Sequence, residues 1–94
     1  MSSKYLIYTD GKRAFQTFVS ENLESRDITT LEQTGIYFIT TDNASVPVSR
    51  GSIILSRRST YKTIVCIGTD NNLYVKVIWG TYETNWSKIT SSAL

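Results

Sequence analysis

Histidine is absent from this 94-residue chain, and cysteine, proline and methionine occur once each. Without histidine, Ser-His-Asp triads, most zinc sites and most general-base schemes near neutral pH are removed. The single cysteine, Cys66, has no partner for an internal disulfide, and no base or cationic neighbour in sequence to activate it. Inside the run YKTIVCI it reads as a small buried hydrophobe. No apolar run approaches the roughly 18 residues that a membrane span needs, and no signal-peptide pattern opens the chain, so membrane insertion is not expected. The five glycines are scattered at strand boundaries and turns, leaving no Gly-rich phosphate loop. Charge of one sign is also scarce. Ten basic and eight acidic residues leave a net +2, too mild to imply nucleic acid or an anionic membrane as the main partner. No cofactor and no metal site is expected.

What the chain does have is β texture. A composition 40% hydrophobic and 19% charged suits a single folded domain and argues against disorder. The central stretch is NLYVKVIWGTYETNWSKI, residues 72–89. Its first half alternates, with Leu73, Val75, Val77 and Trp79 on one side and Tyr74, Lys76 and Ile78 on the other. Trp79 and the nearby Trp86 carry enough apolar surface to anchor a core, so the Leu73–Trp79 side, with its larger apolar residues, is expected to face inward. Residues 35–41, 51–57 and 61–67 are three further strands, rich in β-branched residues and divided by polar turns. Pro47 keeps the loop at 42–50 out of a central strand. Short connections imply antiparallel pairing.

The N-terminal part has a different pattern. Ala14, Phe15, Phe18 and Val19 follow a three-and-four spacing, which predicts a helix over residues 13–24 with Asp10 as its cap. The opposing reading makes residues 4–9 a strand and Asp10-Gly11 a hairpin turn. The helix is preferred for 13–24, and 4–9 stays open. The domain plan is therefore a helical, shaft-like segment at 1–25 and a β-rich knob at 26–94.

Several strands carry apolar side chains on both faces: Ile54 against Ile53 and Leu55, Ile64 and Cys66 against Val65 and Ile67, Ile78 against Val77 and Trp79. A lone sheet buries one face, and one short helix cannot cover the other, so an oligomer is expected.

Candidate chemistry is sparse. The carboxylates Glu21, Glu24, Asp42, Asp70 and Glu83 read as solvated surface and turn formers, and no catalytic residue is assigned. Arg57, Arg58 and Lys62 around Tyr61 form the one concentration of charge. Such a cluster suits single-stranded nucleic acid or an acidic sugar, but a solvated turn between two strands is the preferred reading. Trp79, Tyr82 and Tyr74 are candidates for stacking on sugar rings, with only Tyr82 expected to be exposed. Asn43-Ala44-Ser45 and Asn85-Trp86-Ser87 match the glycosylation acceptor pattern and read as chance.

The order Asp27-Ile28-Thr29-Thr30-Leu31, then Thr34-Gly35-Ile36-Tyr37-Phe38-Ile39, resembles the opening of the knob-type domains on tail fibres of phages and R-type pyocins, D-x-N-T-L followed by T-G-x-Y-x-V. Thr29 stands where asparagine would be usual. The similarity continues through a valine-proline-valine loop, the Gly51 strand, a third strand ending at Gly68, and Leu73-Tyr74-Val75-Lys76. Trp86-Ser87-Lys88-Ile89 is similar to the terminal W-x-x-W-x-x-I signature. Trp79 precedes its usual place there, and Tyr82 is the candidate for the first aromatic position. Tyr8-Thr9-Asp10-Gly11-Lys12 resembles pieces of fibre shafts. The resemblance covers about two thirds of the chain. It implies a small antiparallel sheet or sandwich knob, homotrimeric and non-enzymatic. Such a knob sits on the virion tail among other tail or baseplate proteins and attaches to a bacterial surface glycan or other receptor. The alternative is a carbohydrate-binding module of a cell-wall or capsule-degrading protein. A small β-barrel that binds nucleic acid is the weakest of the three readings. Receptor-contact residues do not carry over.

Overall fold

The computed structural model describes residues 3–9 and 12–94, with side chains from Phe18 onward. It is mainly β, a single mixed sheet. The strands are β1 (Ser3–Thr9), β2 (Lys12–Asn22), β3 (Gly35–Ile39), β4 (Gly51–Arg58), β5 (Tyr61–Gly68), β6 (Leu73–Trp79), β7 (Tyr82–Glu83) and β8 (Ser87–Ile89). They lie side by side in chain order from β1 to β7, and β8 also pairs with β6.

The helix expected over residues 13–24 is not formed, since Lys12–Asn22 is a strand. It pairs antiparallel with β1, which makes the strand reading of residues 4–9 the observed one. The expected cap and turn residues Asp10 and Gly11 lie outside the described residues. Pairing across a sheet is a long-range choice that overrides weak local helix preference. On its other side β2 runs parallel to β3, with Ser20 opposite Ile36, so the sheet is mixed rather than purely antiparallel. The twelve-residue connection at 23–34 is long enough for that crossover. Thus β2 joins β3 across the division expected between residues 25 and 26. The two backbones approach closely at Gly35, where a Cβ would lie 2.1 Å from the Val19 carbonyl oxygen.

One face of the sheet is closed. Val19, Tyr37, Ile39, Ile53, Leu55, Ile64, Cys66 and Tyr74 form the core with Leu23 and Ile28 from the crossover. No helix covers this face among the described residues. Two connections do, through Leu31 at 23–34 and Val46 and Val48 at 40–50, with Trp86 alongside. Asn43 staples them together. Its Nδ2 donates to the carbonyls of Glu24 at 2.9 Å and Arg26 at 2.7 Å, while its Oδ1 accepts from the Ser45 backbone at 2.8 Å and the Ser45 hydroxyl at 2.6 Å. The Ser45 hydroxyl oxygen accepts from Ile28 N, and the Ser45 carbonyl accepts from the Trp86 indole, each at 3.1 Å. The acceptor-like Asn43-Ala44-Ser45 triplet is therefore a folding element. Asp27 caps a short 3-10 turn (Ile28–Thr30) within the crossover.

The inward side of β6 is the reverse of the expected one. Tyr74 and Lys76 are buried, whereas Leu73 and Trp79 are exposed, Trp79 to 55%. Lysine is tolerated inside because its alkyl stem packs while its ammonium escapes to a partner. Lys76 Nζ donates to the Thr84 carbonyl at 2.6 Å and meets Glu83 Oε2 at 2.9 Å. Lys62 behaves alike, donating to the Thr29 carbonyl at 2.8 Å. The two tryptophans thus part company, Trp86 toward the covered face and Trp79 on the open one.

Candidate functional site

Side chains directly opposite in paired strands share a face, so the register builds the open face row by row. One row runs Ser20, Ile36, Ile54, Val65, Val75 and Ser87. The next runs Asn22, Phe38, Ser52, Ile67, Leu73 and Ile89. On the other side lie Ser56, Thr63 and Val77, then a terminal row of Arg58, Tyr61, Trp79 and Tyr82. Among the described residues, before that last row the face carries no charged side chain. Phe38, Ile54, Ile67 and Leu73 are all exposed on it.

The terminal row sits where two tight turns meet. Ser59 and Thr60 join β4 to β5, with Ser59 in the left-handed region at φ 57°. Gly80 and Thr81 join β6 to β7, with Gly80 at φ 63°, a conformation that glycine adopts without steric cost. The Gly80 N–H donates to the Thr60 carbonyl at 3.2 Å, tying one turn to the other. The Tyr61 and Trp79 rings lie 4.9 Å apart between centroids and are inclined at 48°. With Thr34, Ser56, Arg57, Arg58 and Thr63 they line an open cleft of about 230 Å³. Tyr82 is 64% exposed next in the row.

The basic cluster seen in sequence is divided by the fold. Arg57 is consumed by Glu32, with Nε 2.8 Å from Glu32 Oε2 and Nη1 donating to the Glu32 carbonyl at 3.1 Å. Lys62 is on the covered face. Arg58 remains beside Tyr61, and among the described residues no hydrogen bond or ion pair engages its guanidinium. Of the three aromatic candidates, Trp79 and Tyr82 meet in this row, while Tyr74 does not join them. Tyr74 is buried, and its hydroxyl donates to Asp70 Oδ2 at 2.5 Å. Tyr61, named in the sequence only as the centre of the basic cluster, lines up with Trp79 and Tyr82, an alignment that was not foreseen. The signal was present, because two-residue turns after Arg58 and after Trp79 set the register of the row.

Glu24 is exposed, and the other four candidate acids are engaged structurally. Glu21 pairs with Arg26 at 2.9 Å, Asp42 with Arg50 at 3.0 Å, and Glu83 with Lys76. Arg26 also lies over the Tyr37 ring, 5.7 Å from its centroid. Burial raises the Tyr37 hydroxyl pKa, helped by Glu21 and opposed by Arg26. Cys66 is fully buried, and burial, with a smaller push from Asp70, raises its thiol to about 11, which leaves it without thiolate character at neutral pH. Among the described residues no group of His, Cys, Asp or Glu is arranged to hold a metal ion, and no helix is long and apolar enough to cross a membrane. Set against family models, curated proteins and solved structures, the chain finds no match in any of the three.

Proposed function

We propose that this chain is a non-enzymatic knob of a phage tail fibre or baseplate appendage. Copies join through the open sheet face and attach the tail to a bacterial surface, in company with other tail or baseplate proteins. What carries the reading is the uncharged apolar face. It crosses six strands from β2 to β8, so at about 4.8 Å per strand it is roughly 24 Å wide. Short of the charged terminal row its length is four residues, from Ile67 to Thr63, or about 13 Å at 3.3 Å per residue. A patch on the order of 300 Å² is within the size range of the largest patches that monomers leave in water, which are often functional. A surface without charge has little to select a charged partner with, whereas it is complementary to a copy of itself. The number three comes from the resemblance to fibre knobs. Three weak receptor sites held together would bind by avidity without any new contact.

Light scattering and sedimentation test this reading. The wild type is expected to be a trimer at micromolar concentration, and Ile54→Lys, which plants a charge in the middle of the face, is expected to be a folded monomer. A wild type that stays monomeric across the micromolar range sinks the assembly.

The exposed aromatic row favours a second reading, a carbohydrate-binding module of a cell-wall or capsule-degrading protein. A monomeric wild type that still binds glycans, and loses them on Tyr82→Ala, would select it.

A further inference from the structure

We infer that the Arg58–Tyr61–Trp79–Tyr82 row is a receptor site for a sugar ring bearing one anionic substituent, such as the carboxylate of a uronic acid. The inference deepens the attachment reading and rests on it for the purpose of the site, not for its chemistry. Three neighbouring aromatics stand in solvent in one cross-strand row, with Trp79 at 55% and Tyr82 at 64% exposure. An aromatic face is electron-rich, and the C–H face of a pyranose is its natural complement. The 48° inclination between Tyr61 and Trp79 makes a notch rather than a flat slab, and the cleft of about 230 Å³ is below the usual size of drug-like pockets. It suits one ring of a chain, not a whole cofactor. Thr34, Ser56 and Thr63 line the same cleft; the Thr34 hydroxyl is bonded to the Arg57 backbone, and those of Ser56 and Thr63 offer hydrogen bonds to ring hydroxyls.

Charge decides the class of sugar. Arg58 flanks Tyr61 and is without a partner among the described residues. Its planar fork matches a carboxylate through two parallel hydrogen bonds. Nucleic acid would need cations repeated along the phosphate track. Arg57 and Lys62, the other two basic residues nearby, are committed to Glu32 and to the Thr29 carbonyl. Among the described residues, one free cation beside three rings fits an acidic sugar and does not fit a nucleic acid strand.

The site also lies clear of the proposed assembly. Tyr61 is four residues along β5 from Val65 in the Ile54 row, so the terminal row sits about 13 Å beyond that row. Copies can cover the Ile54 and Ile67 rows and leave this end in water.

The test is calorimetric titration of the full chain with three probes: a galacturonate oligomer, a neutral galactose oligomer of equal length, and an oligothymidylate. The galacturonate oligomer is expected to bind, and to bind tighter than the neutral one. Its affinity should fall only shallowly with salt, as one charge contact requires. Arg58→Gln should weaken it about ten- to hundred-fold, the loss of hydrogen bonds to a charged group, without changing binding of the neutral oligomer. Tyr82→Ala and Trp79→Ala remove exposed rings, so the fold persists, and binding of both sugars should drop. No sugar binding, or uronate binding untouched by Arg58→Gln, overturns the inference. Tighter, steeply salt-dependent binding of the oligothymidylate overturns it as well. Repeating the titration on Ile54→Lys separates the two ideas. Uronate binding by that variant upholds the site even if the wild type proves monomeric, and a trimer that binds no sugar upholds the assembly alone.

Discussion

Ile53 and Ile54 are neighbours on one strand with opposite surroundings. Ile53 is fully buried beneath the two long connections, and Ile54 is 41% exposed in an uncharged field. The same contrast holds across β3 to β6. Among the described residues the covered face contains two lysines, each with its ammonium satisfied, and the open face of β3 to β6 carries no charge short of Arg58 in its last row. The usual association of charge with solvent is therefore inverted. A covered face can hold a lysine where the stem has apolar neighbours and a carbonyl waits at the end. An open face without charge tends to be covered by something else.

The two isoleucines should respond very differently to separate truncation. Ile53→Ala should cost about 2–5 kcal/mol, the transfer term plus an unfilled cavity. Ile54→Ala should cost less than about 1 kcal/mol in dilute monomer, because its side chain is already partly in water. Urea unfolding measured at low and high protein concentration reads both. Equal losses in the monomer would mean that the faces are not different in kind. For Ile54→Ala, the loss should grow with concentration if copies share that face.

Much of this contrast was legible in the sequence, and part was misread. Alternation located β3, β4, β5 and β6 and revealed apolar residues on both sides. It could not say which side of β6 turns inward. Leu73, Val75, Val77 and Trp79 outweigh Tyr74, Lys76 and Ile78 in apolar bulk, but what decides is whether Lys76 and Tyr74 find partners. Those partners are Thr84, Glu83 and Asp70, and no periodicity displays them. Residues 13–24 failed for a related reason. Their three-and-four spacing is a local signal, whereas β2 is held by β1 on one side and β3 on the other. The Arg58–Tyr61 and Trp79–Tyr82 pairings could have been counted from the two-residue turns. The loss of Arg57 to Glu32 could not, since 25 positions separate their hydrogen-bonded groups.

A smaller effect sharpens what covers the closed face. Asn43 uses both amide hydrogens and its carbonyl oxygen to hold the two connections together. Asn43→Ala should cost about 1–3 kcal/mol. Asn43→Asp should cost at least as much, because a carboxylate would face the carbonyls of Glu24 and Arg26 with no proton to donate. Core residues Ile28 and Leu23 should then show faster amide exchange, while Ile54 and Val65 in the sheet stay protected. Uniform loss of protection would show that the connections do not open on their own.

The smallest effect belongs to Asp70, at the turn where the closed face ends. Hydrogen bonds from the Tyr74 hydroxyl and the Asn72 backbone, with a minor contribution from Lys88, hold its carboxyl below the ordinary value of 3.8. The same Tyr74 bond raises the tyrosine pKa, since the donor must keep its proton. A carboxylate depressed in the folded state contributes stability that is fully present above its unfolded pKa. That contribution is lost as pH falls through the lower folded value. Asp70→Asn deletes the charge and keeps a single acceptor oxygen, so the Asn72 N–H and the Tyr74 hydroxyl, which use different carboxylate oxygens, can no longer both donate to it. The stability difference between wild type and Asp70→Asn should thus be constant from neutral pH down to about pH 5, then shrink at more acid pH. Because the carboxyl is exposed to solvent, the whole difference should also weaken in high salt. Chemical denaturation across that pH range decides it. A difference that persists undiminished in acid would mean that Tyr74 is held inward by its packing and owes nothing to the charge on Asp70.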